Sequence, residues 1–561
     1  MPQARLVAPL LAFSLLSCHD DGRPGPLEGG LSQITVRYVC GNDFDIHNQS
    51  PAALTVRYTV MGASEDGELL LPGRAEGAES TTRLTTLHRG ALQIVEGDQG
   101  SSPVDNLGAS CPSPSATQPE ALSGAWAAPF TWPVVAVHLH LLPTGRVLSW
   151  GRIGQPQLWD PETGEFREVP SATMVFCSGH AALPDGRLLV TGGHLDDRRG
   201  LRDVNIFDGA AEVWTPVQPM AKARWYPTST TLADGEILTL GGSDEHGLDV
   251  EIPEVWTGGG WRSLDRAGRI LPYYPRTFVA PNGLVFYAGE LAQSAYLDPR
   301  GPGDWIPVAT SHYGRRDYGS AVMYRPGKVI IVGGSDPPDG APTRTAELID
   351  LNQAAPSWRF TDPMNYARRQ FNATLLPGGE VLVTGGTRSA GFSDRAGAVH
   401  AAELWDPETG KWSVLASNQV TRVYHSTTLL LPDGRILHTG SGDGPGLPRE
   451  LNAELFSPPY LFRGQRPTIS EAPRIIHYGE PFFVATPEAG QVVRATLVRL
   501  SSVTHGFDQD QRFVELPIRR TAGGLSLAPP QEATLAPPGL YMLFVLDGDG
   551  IPSRAVMVRL E

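Results

Sequence analysis

Residues 421–442, TRVYHSTTLLLPDGRILHTGSG, carry the pattern that decides the fold. The apolar run at 427–431 is long enough only for a strand. Pro432, Asp433 and Gly434 then turn the chain into a second short run at 435–438. Asp-Gly supplies the positive φ that a tight strand reversal needs, so the stretch reads as a hairpin. Tyr424 and His425, two metal-capable side chains, stand side by side where the first strand begins. His425 lies nine residues before the turn glycine.

The same arithmetic recurs along the chain. An x-Gly turn followed by a short apolar strand appears at Gly145, Gly186, Gly235, Gly283, Gly327, Gly379 and Gly434. Most of the second strands end in a glycine pair, such as Gly192-Gly193, Gly241-Gly242, Gly333-Gly334 and Gly385-Gly386. A third strand follows, often with a polar turn and a Trp: LWDPETGEF at 158–166, VNIFDGAAEVW at 204–214, AELWDPETGKW at 402–412. Seven copies, spaced 41 to 55 residues apart, resemble the kelch repeat, in which each copy is one four-stranded propeller blade. Seven such blades close a ring, and the strand entering each turn is the innermost. Residues at equal distance before the turns then share one level around the channel. Nine before, they are Ala136, Cys177, Tyr226, Tyr274, Tyr318, Gln370 and His425. Three tyrosines, a cysteine and a histidine make a polar ring at a channel mouth, where ligands bind. Bulky aromatics that merely plug the channel would account for Tyr274 and Tyr318 equally well.

Composition agrees with an all-β chain in several domains. There are 561 residues, with 63 Gly, 50 Pro and only 19% charged residues, too many residues for one core. A net charge of −15 argues against nucleic acid as a partner, because phosphate binding needs a basic face. Residues 1–18 read as a signal peptide: Arg5, an apolar stretch at 6–16, then Leu15-Leu16-Ser17-Cys18, which resembles a bacterial lipobox. Lipidation of Cys18 would attach an exported protein to a membrane, at the cell surface or in the periplasm; an ordinary signal peptide with an incidental cysteine would leave it secreted. Residues 19–30 form a flexible tether. Residues 31–115 read as a small β-sandwich, with Cys40 and Cys111 able to pair in an oxidising compartment. The propeller spans 127–462. A β-sandwich of immunoglobulin-like type follows at 463–561, where the repeat stops. It contains SSVTHGFDQDQRF, residues 501–513, with His505 between two strands.

The chain resembles the galactose oxidase and glyoxal oxidase family of copper radical oxidases. The resemblance is carried by FCSGHAALPDGRLLVTGGH at 176–194, RWYPTSTTLADGEILTLGGSD at 224–244, RVYHSTTLLLPDGRI at 422–436, SVTHGFDQDQR at 502–512 and PPGLYMLFVLDGDGIPS at 537–553. It implies a copper held by Tyr226, Tyr424, His425 and His505. It also implies a thioether cross-link between Cys177 and Tyr226, which carries the radical. The implied reaction oxidises a small aldehyde or primary alcohol with O2 and yields hydrogen peroxide, with Tyr424 as general base. One residue departs from the pattern. Galactose oxidases carry a tryptophan over the cross-link just after the glycine pair that follows the radical tyrosine; here Ser243 and Asp244 stand there. Small aldehydes and alcohols are therefore expected in preference to galactose. Asp244, Tyr274, Tyr318, Arg369 and Gln370 are candidate substrate contacts. The alternative is a kelch propeller without chemistry that binds protein or glycan at the cell surface.

Overall fold

The computed structural model describes residues 119–561, apart from residue 445, and seven strands with their near ends between residues 34 and 104. The signal peptide, Cys18, the tether and the Cys40–Cys111 pairing lie outside the described residues. The chain divides into two units, residues 1–112 and 113–561.

In the first unit the strands Ile34–Cys40, Asp43–Asn48 and Ser80–Thr85 form one sheet. Glu65–Leu71, Leu54–Met61, Ala91–Glu96 and Gln99–Gly100 form another. Ile34, Phe44 and Ile46 of one sheet share a core with Val56, Val60, Leu92 and Ile94 of the other.

In the second unit seven antiparallel sheets follow in chain order. Their first strands are His138–Leu141, Gly179–Ala182, Thr228–Thr231, Thr277–Val279, Ser320–Arg325, Arg369–Leu375 and Ser426–Leu430. Each neighbouring pair is tied by hydrogen bonds near this inner end. Cys177 N donates to His138 Nε2 (3.1 Å), Tyr226 N to Cys177 O (2.9 Å) and Tyr274 N to Tyr226 O (3.0 Å). Arg316 N donates to Glu290 O (2.8 Å), Gln370 N to Tyr318 O (2.9 Å) and Asn372 Nδ2 to Ser426 O (3.2 Å). Thr427 Oγ1 donates to Ala136 O (2.6 Å) and brings the seventh sheet back to the first. The glycine pairs permit this close approach. A Cβ on Gly192 would lie 2.3 Å from the carbonyl oxygen of Arg224 in the next sheet.

The ring closes with a strand from before the first repeat. Ala125–Trp126 pairs with Asn452–Ser457 as the outer strand of the seventh sheet. The propeller therefore begins at Ala125 rather than at residue 127. The C-terminal domain is two sheets, ordered Ile475–Ile476, Val556–Leu560, Gly539–Asp547, Val492–Arg499, Phe513–Leu516 in one and Phe482–Ala485, Gly524–Leu527, Ile518–Thr521 in the other. They enclose a core that includes Val484, Leu497, Leu525, Tyr541 and Val545. From this domain the hairpin of Ser502–Thr504 and Phe507–Asp508 enters the propeller. It extends the first sheet, with His138 opposite Thr504 and His140 opposite Ser502.

Candidate metal centre

Six of the seven residues at the shared level adopt a positive φ: Cys177 (62°), Tyr226 (64°), Tyr274 (49°), Tyr318 (49°), Gln370 (55°) and His425 (67°). His505, at the tip of the entering hairpin, does too (48°). None is a glycine, and non-glycine residues held there store strain of the kind that clusters at functional sites. The kink comes at or just before the start of the inner strand.

The side chains converge. Tyr226 Oη lies 2.7 Å from Tyr424 Oη and 3.4 Å from His425 Nε2. The His505 ring centroid is 4.4 Å from that of Tyr226 and 4.8 Å from that of His425. His505 Nε2 is buried and has no hydrogen-bond partner. The other nitrogen of each imidazole is engaged: His425 Nδ1 with Gly442 O at 2.6 Å, His505 Nδ1 with Thr504 Oγ1 at 2.7 Å. Such outer bonds fix ring orientation and leave Nε2 free to ligate. Burial pulls the His425 pKa down to about 3 and that of His505 well below the usual value, with His425 adding to the effect on His505. Both imidazoles are therefore neutral, the ligating form. Burial pushes the hydroxyls of Tyr226 and Tyr424 upward, so two phenolates form here only beside a compensating cation. Two imidazoles and two phenols gathered in this way are a donor set that fits a divalent copper.

Cys177 is fully buried, and its thiol is raised by burial and offset by a hydrogen bond with Tyr226. Trp225 stacks flat on Tyr226, with centroids 3.6 Å apart and planes 6° apart. Its Nε1 donates to His194 Nδ1 at 3.1 Å.

The family description "Glyoxal oxidase N-terminus" matches residues 154–255 and 339–460, and "Galactose oxidase-like, Early set domain" matches 466–560. A galactose oxidase of Gibberella zeae is 29% identical over 496 residues, spanning 79% of this chain and 72% of its own. An aldehyde oxidase of Vitis pseudoreticulata is 29% identical over 474 residues, spanning 75% and 89%. A solved fungal alcohol oxidase in complex with copper matches with a TM-score of 0.72 at 26% identity, over 78% of this chain and 99% of that one. The chain belongs to the galactose oxidase and glyoxal oxidase family of copper radical oxidases.

The remaining sequence-derived contacts of this oxidase fare differently. Tyr274 and Tyr318 line a cavity of about 390 Å³ together with Tyr226 and His505. The Tyr274 hydroxyl donates to Ser178 O at 3.2 Å, and its ring stacks on His505 at 4.6 Å. Asp244 is not among the residues lining the cavity. Its carboxylate accepts from the backbone N–H of His246 and Leu248 and caps its own turn. Arg369 is fully buried and spent on Asp317, Asp339 and the carbonyl of Gly391. Gln370 is buried with both amide atoms unpartnered, and it is not among the residues lining the cavity. The sequence reading sought the covering tryptophan after the glycine pair and missed Trp225, although it directly precedes Tyr226. It also missed the charged residues of the cavity wall, Arg198, Asp249, Arg276, Glu290, Arg315 and Asp317, which no repeat position marks.

Proposed function

We propose that this oxidase converts small aldehydes, as their hydrates, or small primary alcohols to acids or aldehydes, with O2 reduced to hydrogen peroxide. The observation that carries the reading is the convergence of Tyr226 Oη, Tyr424 Oη and His425 Nε2 beside the unpartnered Nε2 of His505. Tyr226 and His505 of this group also line the 390 Å³ cavity.

In this reading Tyr226, Tyr424, His425 and His505 would hold copper, which would supply one oxidising equivalent. Oxidation of an alcohol or hydrate removes two electrons, so Tyr226 stores the second equivalent as a phenoxyl radical. A thioether from Cys177 Sγ to the Tyr226 ring spreads the unpaired electron and lowers the cost of forming it. Trp225 lies on the Tyr226 ring at 3.6 Å and excludes water from that face. Tyr424 takes the proton of the substrate hydroxyl, and its 2.7 Å contact with Tyr226 gives that proton a short path. The reaction balances as RCH(OH)2 + O2 → RCOOH + H2O2.

Trp225 covers the Tyr226 ring but is not among the residues lining the cavity. The absence of an indole after the glycine pair is therefore no argument about the radical, which has its own cover. It remains an argument about substrate, since a hexose needs a flat apolar wall to stack on. The wall here mixes six charged residues, Arg198, Asp249, Arg276, Glu290, Arg315 and Asp317, among apolar and aromatic ones such as Leu271, Tyr273 and Phe507. We also propose export with lipid attachment at Cys18, on the sequence of residues 1–18 alone.

A coupled peroxidase assay on copper-loaded, ferricyanide-oxidised protein tests the reading. Peroxide should be released with glyoxal, methylglyoxal or small primary alcohols, and little with galactose. Galactose turning over faster than every small aldehyde and alcohol would overturn it.

A further inference from the structure

Tyr226 lines the cavity, whereas Trp225, flat on its ring, does not. From Trp225 the contacts run outward instead. Its ring is 9% exposed, and its Nε1 lies 3.1 Å from His194 Nδ1. An indole N–H can only donate, so His194 Nδ1 accepts and Nε2 carries the proton of the neutral ring. That Nε2 is 4.0 Å from Asp197 Oδ1. His194 opens the short hairpin of His194–Asp196 and Arg199–Gly200, in which residues 195–199 are exposed. Burial and Arg152 hold the His194 pKa below its usual value, and Asp197 and Asp196 oppose them. The imidazole is therefore neutral at rest, with two carboxylates at hand to support an added proton. Phenol, indole and imidazole make one path from the centre to the surface that does not cross the cavity.

We propose that Trp225 and His194 are the port through which an external one-electron oxidant makes the Tyr226 radical. The proposal rests on the reading of Tyr226 as the radical site. Substrate and O2 exchange electrons in pairs, so a radical quenched by one stray electron is not restored by turnover. A one-electron oxidant must restore it, and an entrance outside the cavity lets it do so without displacing substrate. The indole gives one electron to the oxidant, and its Nε1 proton passes to His194 Nδ1. The Tyr226 phenolate then gives one electron to the indole, and the proton returns from His194. The net change is phenolate plus oxidant to phenoxyl radical plus reduced oxidant, with no proton gained or lost. His194 acts through Trp225 and is a positioning residue that also holds the proton in transit.

Stopped-flow optical spectra of the copper-loaded, radical-free protein test this with two oxidants of opposite charge, ferricyanide and tris(phenanthroline)cobalt(III). Trp225→Phe keeps a ring over Tyr226 without an N–H, and should slow radical formation by both oxidants about tenfold. His194→Gln still accepts the indole N–H through Oε1 but takes no proton. It should slow both oxidants similarly and abolish the solvent isotope effect expected of the wild type. Radical formation by His194→Gln at the wild-type rate and isotope effect would mean that the bond only holds the indole in place, and overturns the port. The place of entry is tested by charge. Asp196→Asn with Asp197→Asn removes two exposed negative charges beside His194. The ratio of the ferricyanide rate to the cobalt rate should rise about tenfold at low salt. An unchanged ratio puts the entrance elsewhere and overturns the port while the radical reading stands. No phenoxyl signal from the wild type with either oxidant would overturn the radical reading, and the port with it. Copper content checks every variant. Should Trp225→Phe fail to fold, the His194 and aspartate variants decide the matter.

Discussion

Trp225 and Tyr226 are sequence neighbours whose rings lie face to face at 3.6 Å. Adjacent residues in a strand point to opposite sides. The positive φ of Tyr226 breaks that alternation and lets the indole fold over the phenol. An aromatic pair of this kind contributes roughly 0.5–1.5 kcal/mol beyond the area it buries. If the Tyr226 radical depends on this cover, Trp225→Ala should shorten its lifetime after ferricyanide oxidation by about tenfold, the equivalent of ~1.4 kcal/mol. Trp225→Phe should recover part of it. Optical and electron-spin spectra follow the radical, and copper content serves as the control. An unchanged lifetime at full copper content would show that the indole only packs. Cys177, Tyr226, Tyr424, His425 and His505 were legible because a counted distance from a turn glycine, or a local motif, marks each. Trp225 and Arg276 were not. A Trp beside a Tyr in a repeat looks like core, and an arginine two residues past Tyr274 carries no signal until the cavity exists.

At the scale of elements, one hairpin brings the C-terminal domain to the site. The run FDQDQR after His505 fastens it. Gln509 Oε1 accepts from His180 N and Ser229 N, and Asp510 accepts from Ala182 N, Ser502 Oγ and Thr231 Oγ1. Gln511 bonds Met323 N and Ala321 O, and Arg512 donates to Val279 O. These contacts reach the inner strands of four sheets, so a motif that reads as a polar loop is a plug. Gly506, at the tip, has φ 76°, and a Cβ there would lie 2.3 Å from Phe371 O. Its carbonyl also accepts from Ser320 Oγ at 2.7 Å. Gly506→Ala should therefore lift the tip and its imidazole at a local cost of ~1–3 kcal/mol, weakening copper at least tenfold while the anchored propeller stays folded. Equilibrium dialysis of copper beside circular dichroism reads both. One copper per chain with unaltered affinity would mean that the tip tolerates the shift. The seven strand pairs were readable because turn glycines and glycine pairs are local signals. The pairing of His138 with Thr504 was not, since partners more than 350 residues apart leave no trace in a window of sequence. Four buried Arg–Glu pairs were equally silent: Arg224–Glu254, Arg316–Glu347, Arg368–Glu403 and Arg422–Glu454. Each arginine also donates to a glycine carbonyl at the end of its second strand, those of Gly241, Gly333, Gly385 and Gly440.

For the whole molecule the question is which parts of the chain the centre needs. Every side chain of the centre, and every partner described for it, lies within residues 113–561, the second unit. Ring closure is the constraint that reaches outside the repeats. Composition and repeat spacing announced a seven-fold ring, but the closing strand has only two residues, Ala125 and Trp126, too short to register as a repeat. Trp126 sits opposite Phe456 with ring centroids 4.9 Å apart, and its Nε1 donates to Ala416 O at 2.8 Å in the sixth sheet. Without it, part of Asn452–Ser457 becomes an open strand edge, a template for pairing with another chain. A chain starting at Ser113 should therefore fold, bind one copper and release peroxide as the full chain does. A chain starting at Phe130 should melt several degrees lower and aggregate on warming. In the full chain, Trp126→Ala should cost roughly 2–3 kcal/mol, less than the ~3–5 kcal/mol of a fully buried Trp because this one is only partly buried. Differential scanning calorimetry with light scattering, beside copper analysis of the two truncated chains, distinguishes the cases. Loss of copper from the chain starting at Ser113 would mean that residues 1–112 support the centre. Equal melting of the two truncations would mean that Phe130–Thr131, which pairs with Asn452 and Ala453, closes the ring alone.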